Sequence, residues 1–449
     1  SEPTEKRWVQ SETLFSEKGP VFVFSGNGAQ RPGMGRAVLT EDAAYREAFT
    51  KVAAILEPAL GFDPLDALMN EDADVDLDDT SISQPLLFAL QAAYVDRIAA
   101  DGLKPAAVIG HSVGEVAAAY ACGGLSLEAA CQVILARSSS QNATRNDGKM
   151  FAVIAGADKL DADDLASRFN AHVAGLNSNK VTGVTVLGNP DGFVAEMEAR
   201  GIRCIDISIE YPFHSPGMDV VKEPLAELLS DLKSNEPQVP MFSTMKGGLW
   251  DGGILDADYW WNNVREPVQF AKAVTAALED GYRHFLEISP FPIMVRHVND
   301  LATDHGCEVA VTQIDNMPDK DSQTSRTLAE RVERFWAMGA QLDQDAFVGV
   351  EAKIVPGIEL PDYPWDRERH GMDFTDDGPV WRLNQRHHPL LGDHRSPAPM
   401  FRNDIDHMRY PFLEDHQVQN RVLYPGAGTM ELILSATRIL HELGDDEAV

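Results

Sequence analysis

The sequence is poor in cysteine, poor in basic side chains relative to acidic ones, and free of long apolar runs. Only four of its 449 residues are cysteines, and their spacing fits no metal site. Nothing at the N-terminus resembles a signal peptide, so we expect reduced thiols and a cytoplasmic protein. No apolar run approaches the roughly 20 residues of a membrane-spanning helix, which argues against a membrane protein.

The net charge of the chain limits the kinds of molecule that it is expected to bind. The chain carries 38 Lys and Arg residues against 70 Asp and Glu residues, a formal net charge of -32. This excess of acid argues against a nucleic-acid partner, whose phosphates require a basic surface. An anionic cofactor would need a locally basic mouth, to which Arg31 and Arg36 could contribute. We favour the simpler interpretation that the acidity serves solubility or adaptation to salt.

The length of the chain indicates more than one domain. A globular chain of 449 residues, 44% hydrophobic and 24% charged, is expected to form two or three domains. It does not begin with Met, and the segment before residue 19 is charged and poorly periodic. We interpret residues 1–18 as an N-terminal linker and the whole chain as a piece of a longer protein.

The region that follows alternates strands with helices. A buried strand at residues 21–24 runs into a glycine-rich turn, and the tripeptide Ser-Gln-Pro at 83–85 introduces an apolar helix at 86–100. A further strand ends just before Ser112. This alternation predicts an α/β fold, with a hydrolase-like large subdomain built on a parallel sheet.

The pattern changes between residues 150 and 210. The elements there read as strand, helix, strand, strand, helix and strand, which is the order of a split βαβ, ferredoxin-like unit. We therefore predict a small ferredoxin-like subdomain inserted into the larger one. The large subdomain resumes near Tyr211 and ends at about residue 345. Proline-rich residues 346–387 are interpreted as a linker, and residues 388–449 as the start of a different unit.

A serine lies between two glycines where a strand passes into a helix. The pentapeptide GHSVG at 110–114 follows an apolar stretch and precedes an Ala-rich run. A nucleophile elbow requires such a turn, since its tightness leaves no room for side chains beside the serine. The next helix begins there and supplies free N–H groups and a partial positive charge for an oxyanion. We favour Ser112 as an acyl acceptor over the alternative that Gly110 and Gly114 merely allow close helix–sheet packing.

Two more side chains are candidates for the same site. His214 lies where the small unit returns the chain to the large one, at the lip of a cleft, although a lone histidine is usually structural. Arg137 is flanked by apolar residues, and a guanidinium is costly to bury unless it meets an anion. The residues alone leave open whether that anion is a ligand carboxylate or a salt-bridge partner within the domain.

Several motifs in register are similar to those of malonyl-CoA:acyl-carrier-protein transacylases. The resemblance is greatest to the acyltransferase domains of type I polyketide synthases, and it covers about residues 19–345. Its motifs are GNGAQ at 26–30, GMG at 33–35, Gln84-Pro85, GHSVGE at 110–115, Arg137, YPFHS at 211–215 and EISP at 287–290.

This resemblance implies a two-step covalent exchange. His214 would deprotonate Ser112 for attack on the thioester of an acyl-CoA, and the backbone N–H groups of Asn27 and Val113 would hold the oxyanion. The phosphopantetheine thiol of an acyl carrier protein would then take the acyl group. The resemblance implies no permanently bound cofactor and no metal, and it implies main-chain carbonyls, rather than an acid, as the groups that orient His214.

Two residues bear on the choice of acyl group. Matching Arg137 to the carboxylate-binding arginine of the family implies a substrate with a free carboxylate, as malonyl has. Before the histidine, malonyl-selective members resemble HAFH and methylmalonyl-selective ones YASH, whereas this chain has YPFH. The bulk of Phe213 should crowd an α-methyl group, so we expect malonyl, although one methyl group is worth only about 1 to 3 kcal/mol.

Three residues depart from the family pattern. Asn27 stands where glutamine is more frequent, Arg31 where tryptophan is frequent, and Phe291 where histidine is common. Because the expected donor at Asn27 is a backbone N–H, these departures bear on substrate choice more than on activity.

The C-terminal part resembles a second domain of the same synthases. The segment LPDYPW at 360–365 is similar to the one with which the linker returns along its neighbour. The motifs HPLLG at 388–392, FLEDH at 412–416 and YPGAG at 424–428 look like the opening of a dehydratase domain of the double hot-dog type. A ketosynthase and a dehydratase are therefore implied as neighbouring domains.

His416 matches the catalytic base of such a dehydratase. It lies in a His-x3-Gly-x4-Pro pattern, except that Asn420 replaces the glycine. The partnering acid would lie beyond Val449, so this part of the chain alone should not dehydrate a substrate.

Two other function classes stay open. A serine esterase or thioesterase shares the elbow and differs in whether water or a thiol takes the acyl group. A non-catalytic docking module would use its acidic surface and an ordered linker merely to organise a larger assembly.

Overall fold

The structure is a computed structural model, and the chain divides into two compact units. It describes residues 12–70, 73, 75–315, 327–348, 388–395 and 400–444. The first unit ends at Ile354 and the second begins at Val355. Most of the predicted linker, residues 349–387, lies outside the described residues, as do residues 1–11 of the N-terminal one.

The described strands of the first unit form two sheets. They are β1 (Val21–Phe24), β2 (Ala107–Gly110), β3 (Lys149–Val153), β4 (Ala171–Ser178), β5 (Val181–Val186), β6 (Cys204–Asp206), β7 (Met241–Ser243), β8 (Gly248–Leu249), β9 (His284–Ile288) and β10 (Ala310–Gln313). The larger sheet has the order β10-β9-β1-β2-β7-β8 and is parallel except for β8, which pairs antiparallel with β7. This is the parallel sheet that the alternation of strands and helices predicts.

Helices cover both faces of the larger sheet. Along the described part of the first unit they are α1 (Arg36–Glu41), α2 (Ala43–Leu60), α3 (Pro64–Met69), α4 (Thr80–Ala100), α5 (Gly114–Ala121), α6 (Leu127–Asn142), α7 (Ala162–Phe169), α8 (Pro190–Ala199), α9 (Lys222–Leu228), α10 (Ala257–Arg265), α11 (Phe270–Glu279), α12 (Val295–His305), α13 (Leu328–Ala337) and α14 (Gln344–Val348). Phe22 and Phe24 of β1 belong to the core shared with α2, α4, α5 and α6, whereas Val21 and Val23 belong to the core shared with α11 and α12. No helix in the described ranges has the length and apolar character needed to cross a membrane.

The predicted small subdomain consists of β3 to β6 with α7 and α8. Its chain order β3-α7-β4-β5-α8-β6 and its antiparallel sheet order β4-β5-β3-β6 confirm the ferredoxin-like prediction. It has a core of its own, in which the rings of Phe151 and Phe193 contact each other. Two backbone hydrogen bonds tie it to the large subdomain, from Leu176 N–H to the Val268 carbonyl at 2.8 Å and from Val268 N–H to the Ala174 carbonyl at 2.9 Å.

One helix begins earlier than the sequence predicts. The prediction placed its start after Pro85, whereas α4 begins at Thr80 and contains Pro85. The Asp79 side chain accepts a hydrogen bond from the Ser81 amide and caps the helix at that earlier point. As a result, Gln84 lies on α4 with its side chain buried.

The second unit contains two short hairpins and a helix among its described residues. They are β11 (Asp393–Arg395), β12 (Met400–Arg402), β13 (Gln417–Val418), β14 (Arg421–Val422) and α15 (Gly426–Leu440). The turn between β13 and β14 places Gln419 and Asn420 at φ values of 53° and 63°. Tight hairpin turns need this left-handed geometry, which asparagine tolerates better than most residues other than glycine. The replacement of glycine by Asn420 therefore preserves the turn.

Candidate active site

Ser112 lies in a tight turn between β2 and α5. Its φ of 54° is in the left-handed region, which residues other than glycine rarely adopt. A methyl group on Gly110 would meet the backbone of Glu115 at 2.3 Å, and one on Gly114 would meet the Phe24 carbonyl oxygen at 2.3 Å. The turn thus needs both glycines, and Gly114 also allows α5 to approach β1.

His214 approaches Ser112 from the segment that returns from the small subdomain. Its Nε2 lies 2.7 Å from Ser112 Oγ, and its Nδ1 lies 2.8 Å from the carbonyl oxygen of Glu266. Since that carbonyl can only accept, Nδ1 carries the proton and Nε2 faces the serine hydroxyl as an acceptor. The backbone of His214 is also left-handed, with a φ of 57°, and its N–H donates to the Val264 carbonyl at 3.3 Å.

Burial and a neighbouring cation keep His214 neutral. Its side chain is only 5% exposed, and desolvation together with the charge of Arg137 lowers its pKa to about 3. The imidazole is therefore an unprotonated base at neutral pH.

Arg137, on α6, is the third side chain at this point. Its Nη2 donates to Ser112 Oγ at 3.2 Å, and its other N–H groups donate to the amide oxygens of Gln84 at 2.8 Å, Gln141 at 3.3 Å and Asn263 at 3.3 Å. Desolvation lowers the pKa of Arg137 to about 9, so the group is charged at pH 7. Within the described residues it forms no ion pair, which argues against the salt-bridge interpretation that the sequence left open.

Asn263, on α10, connects the site to a buried carboxylate. Its Nδ2 donates to the Ser112 carbonyl at 3.2 Å and to Glu115 Oε2 at 2.8 Å. Glu115 is fully buried and also accepts hydrogen bonds from the Tyr259 hydroxyl at 2.8 Å and the Thr244 hydroxyl at 2.9 Å. Burial raises the pKa of the Glu115 carboxyl, and these donors oppose that rise.

The two residues proposed as oxyanion donors lie on loops that pack together. A methyl group on Gly26 would meet the His111 carbonyl oxygen at 2.5 Å and Val113 Cγ1 at 3.4 Å, so the turn after β1 presses on the elbow. Val113 directly precedes α5, where an amide lacks an intrahelical acceptor. Among the described residues, neither the Asn27 amide nor the Val113 amide donates to a protein acceptor.

The remaining predicted site residues, Phe213 and His416, take no part in the side-chain hydrogen bonds around Ser112. Phe213 precedes His214 in the chain, and its ring stacks on that of Tyr211 with centroids 4.9 Å apart. His416 belongs to the second unit, where it is exposed and its Nδ1 lies 2.9 Å from the Leu423 carbonyl oxygen.

Two of the three departures from the family pattern contact each other. The guanidinium carbon of Arg31 lies 3.3 Å from the ring centroid of Phe291. Burial lowers the pKa of Arg31. A guanidinium stacks favourably on an aromatic face, so this contact stabilises the positions of both side chains. Arg36, the other basic residue expected at the mouth, donates from Nε to the Leu68 carbonyl at 3.2 Å.

The geometry combines the groups that covalent acyl exchange requires. A hydroxyl faces a neutral base, amides at a helix N-terminus lie beside it, and a buried cation reaches the same oxygen. The sequence pointed to Ser112, His214 and Arg137 but not to Asn263 or the carbonyl of Glu266. Only the folded chain brings these last two to the elbow, and no local motif marks them.

Curated relatives of the chain are polyketide synthases. An erythronolide synthase of Saccharopolyspora erythraea is 32% identical over 93% of this chain and 12% of its own length. A mycocerosic acid synthase-like polyketide synthase of Mycobacterium tuberculosis is 30% identical over 94% of this chain and 20% of its own length. The chain thus spans about a tenth to a fifth of the length of these relatives.

A solved structure and two domain families agree with these relatives. The acyltransferase domain from module 8 of the salinomycin polyketide synthase superposes with a TM-score of 0.69 at 29% identity, over 74% of this chain and 78% of that one. Residues 388–446 match the polyketide synthase dehydratase domain, and residues 21–334 match the acyl transferase domain. Because the second match covers most of the chain, the chain belongs to the acyl transferase domain family of polyketide synthases.

Proposed function

We propose that the first unit transfers a malonyl group from coenzyme A, through an ester on Ser112, to the phosphopantetheine thiol of an acyl carrier protein. The observation that carries this proposal is the position of Ser112 Oγ, 2.7 Å from His214 Nε2 and 3.2 Å from Arg137 Nη2. One oxygen atom is thus placed between a base that can activate it and a cation that can bind the far end of a dicarboxylic acyl group.

The first half of the reaction forms the seryl ester. Ser112 Oγ attacks the thioester carbonyl while its proton passes to His214 Nε2, and the amides of Asn27 and Val113 hold the oxyanion. The C–S bond then breaks, and the imidazolium returns its proton to the sulfur of coenzyme A. The Glu266 carbonyl keeps the ring in the productive orientation throughout, through its contact with Nδ1.

The second half repeats these steps in reverse. The carrier-protein thiol gives its proton to His214 and attacks the ester carbonyl. Ser112 Oγ leaves and takes that proton back, so the enzyme is regenerated and the acyl group ends as a new thioester. Coenzyme A and phosphopantetheine therefore act as successive acyl carriers, and the kinetics are expected to be ping-pong.

The acyl group is selected by charge and by size. Arg137 is buried and charged, so it favours an acyl group whose free carboxylate can pair with it. The buried ring of Phe213, next to His214, leaves less room for an α-methyl group than a serine would. The charge favours malonyl over acetyl, and the bulk of Phe213 favours malonyl over methylmalonyl.

The dehydratase-like second unit and the polyketide synthase relatives support the proposal that this chain is part of a larger synthase. We infer that residues 346–387 join the acyltransferase to the opening of a dehydratase, with His416 as that domain's base, and that a ketosynthase is also a neighbour. Polyketide synthase relatives that extend well beyond this chain support the inference.

Intact-protein mass spectrometry tests the proposed acyl-enzyme. Malonyl-CoA is expected to add one malonyl group to the wild-type chain and none to Ser112→Ala, because the hydroxyl that forms the ester is absent. Ser139→Ala, an exposed serine on α6, is the matched control and should load normally. A carrier protein added afterwards should acquire the group, whereas release of free malonate would identify a hydrolase. Loading of Ser112→Ala would exclude Ser112 as the acceptor.

The pH dependence of loading tests the role of His214. A pKa of about 3 leaves the imidazole unprotonated above about pH 4, so the loading rate should stay flat from pH 8 to pH 5. An unperturbed histidine with a pKa near 6.5 would instead lose about thirtyfold in rate by pH 5. His214→Ala should load about 10² to 10⁴ times more slowly. A rate that falls with a midpoint near pH 6.5 would contradict this account of the base.

Removal of the guanidinium tests selection by charge. Arg137→Ala should load malonyl about ten to a hundred times more slowly, as expected for loss of hydrogen bonds to a charged group, while acetyl loading is spared or improved. The measurement is the rate of self-acylation with malonyl-CoA and with acetyl-CoA. Equal loss with both donors would show that Arg137 does not bind the acyl carboxylate.

Exchange of the aromatic ring tests selection by size. Phe213→Ser should raise the ratio of methylmalonyl to malonyl loading by about tenfold, since the difference concerns a single methyl group. Competition between the two acyl-CoA donors, read by mass spectrometry, gives this ratio independently of any loss of stability. An unchanged ratio would place the size limit elsewhere in the pocket.

A further inference from the structure

Among the described residues, the atoms that accept hydrogen bonds from the Arg137 guanidinium are all neutral oxygens. Gln84 Oε1 lies 2.8 Å from Nη1, Gln141 Oε1 lies 3.3 Å from Nη1, and Asn263 Oδ1 lies 3.3 Å from Nε. These three side chains, which we call the amide cage, come from α4, α6 and α10. Arg137 itself is 2% exposed, so almost no bulk water shares its solvation.

The orientation of the amide cage is determined by its own hydrogen bonds. Gln141 Oε1 accepts from Gln84 Nε2 at 3.1 Å as well as from Arg137. Turning the Gln141 amide around would set its NH2 group against both donors. The observed orientation leaves Gln141 Nε2 buried without a partner among the described residues, which is unfavourable. Gln141 therefore presents its amide oxygen to the Arg137 guanidinium, although its NH2 group has no partner among the described residues.

A carboxylate lies close to Arg137 but is kept from pairing with it. Asn263 accepts from Arg137 Nε and donates to Glu115 Oε2, so its amide stands between the buried cation and the buried anion. Glu115 instead accepts hydrogen bonds from neutral donors, including the hydroxyls of Tyr259 and Thr244. A direct ion pair would occupy the guanidinium, whereas here Asn263 forms a hydrogen bond with each of the two charged groups.

We propose that Gln84, Gln141 and Asn263 are positioning residues that determine specificity, because they fix the Arg137 guanidinium with neutral oxygens and leave its charge to be paired by the acyl carboxylate. This inference rests on the proposed function, in which the acyl group carries a carboxylate. It predicts that acid side chains of equal size in the amide cage would compete with the substrate for the same cation.

Gln84→Glu tests the amide cage directly. The new carboxylate would pair with Arg137, and Gln141 could turn so that its NH2 group donates to that carboxylate. We therefore expect a thermal midpoint no lower than that of the wild type, malonyl loading at least about tenfold weaker, and acetyl loading reduced by a smaller factor. Rates of self-acylation over a range of malonyl-CoA and acetyl-CoA concentrations separate the affinity for each donor from the maximal rate.

Gln84→Met is the matched control, since it has a similar size and removes the acceptor without adding charge. It should lower the ratio of malonyl to acetyl loading less than Gln84→Glu does, because the charge of Arg137 stays unpaired and can still bind the acyl carboxylate. Gln141→Glu provides a second test of the same competition if Gln84→Glu does not fold, because the NH2 group that it replaces has no partner among the described residues. A preserved preference for malonyl in a folded acid variant would overturn the inference.

Loading rates of the wild-type chain show whether an error concerns only the role of the amide cage or the proposed function as a whole. If it prefers malonyl and the folded acid variant keeps that preference, only the role of the amide cage is wrong. If the wild type loads acetyl and malonyl equally well, the proposed selection of a carboxylate fails, and the inference fails with it.

Discussion

A buried guanidinium that has no carboxylate partner among the described residues is the constraint on which the site depends. Removing such a group from water is strongly unfavourable unless polar groups replace its hydration. Here three amide oxygens and the serine hydroxyl do so, and they reach Arg137 from helices on different parts of the chain. Glu115 stabilises the charge of Arg137 through space, and Asn263 forms hydrogen bonds with both side chains. The fold thus maintains a cation whose open side faces the reactive oxygen.

The same cation affects the base. Its charge adds to desolvation in lowering the pKa of His214, so the imidazole stays neutral. In the part of the chain that the structure describes, the ring contacts Ser112 Oγ and a main-chain carbonyl rather than an acidic side chain. The end of α10 serves both groups, because Asn263 contacts Arg137 while the carbonyls of Val264 and Glu266 accept the N–H groups of His214. Carbonyls at a helix C-terminus lack intrahelical donors and carry partial negative charge. These carbonyls can orient the imidazole of His214 and stabilise the imidazolium that forms transiently in the proposed reaction.

Local sequence pattern predicted the fold well and the site in part. The parallel sheet, the ferredoxin-like insert and the glycines beside Ser112 follow from periodicity and from turns that exclude side chains. The sequence places the start of α4 too late, because Pro85 resembles a helix boundary whereas the side chain of Asp79 caps the helix five residues before Gln84. Asn263 and the Glu266 carbonyl could not be predicted, since they act through contacts between residues more than 50 positions apart.

The most direct test of this account is a crystal structure of the chain with malonate esterified to Ser112. The free carboxylate should lie within about 3 Å of the Arg137 guanidinium nitrogens, with the amides of the surrounding side chains unmoved. The ester carbonyl oxygen should point to the amides of Asn27 and Val113. A carboxylate directed away from Arg137, or a guanidinium that has turned to pair with Glu115, would contradict the claim that this charge is held for the substrate.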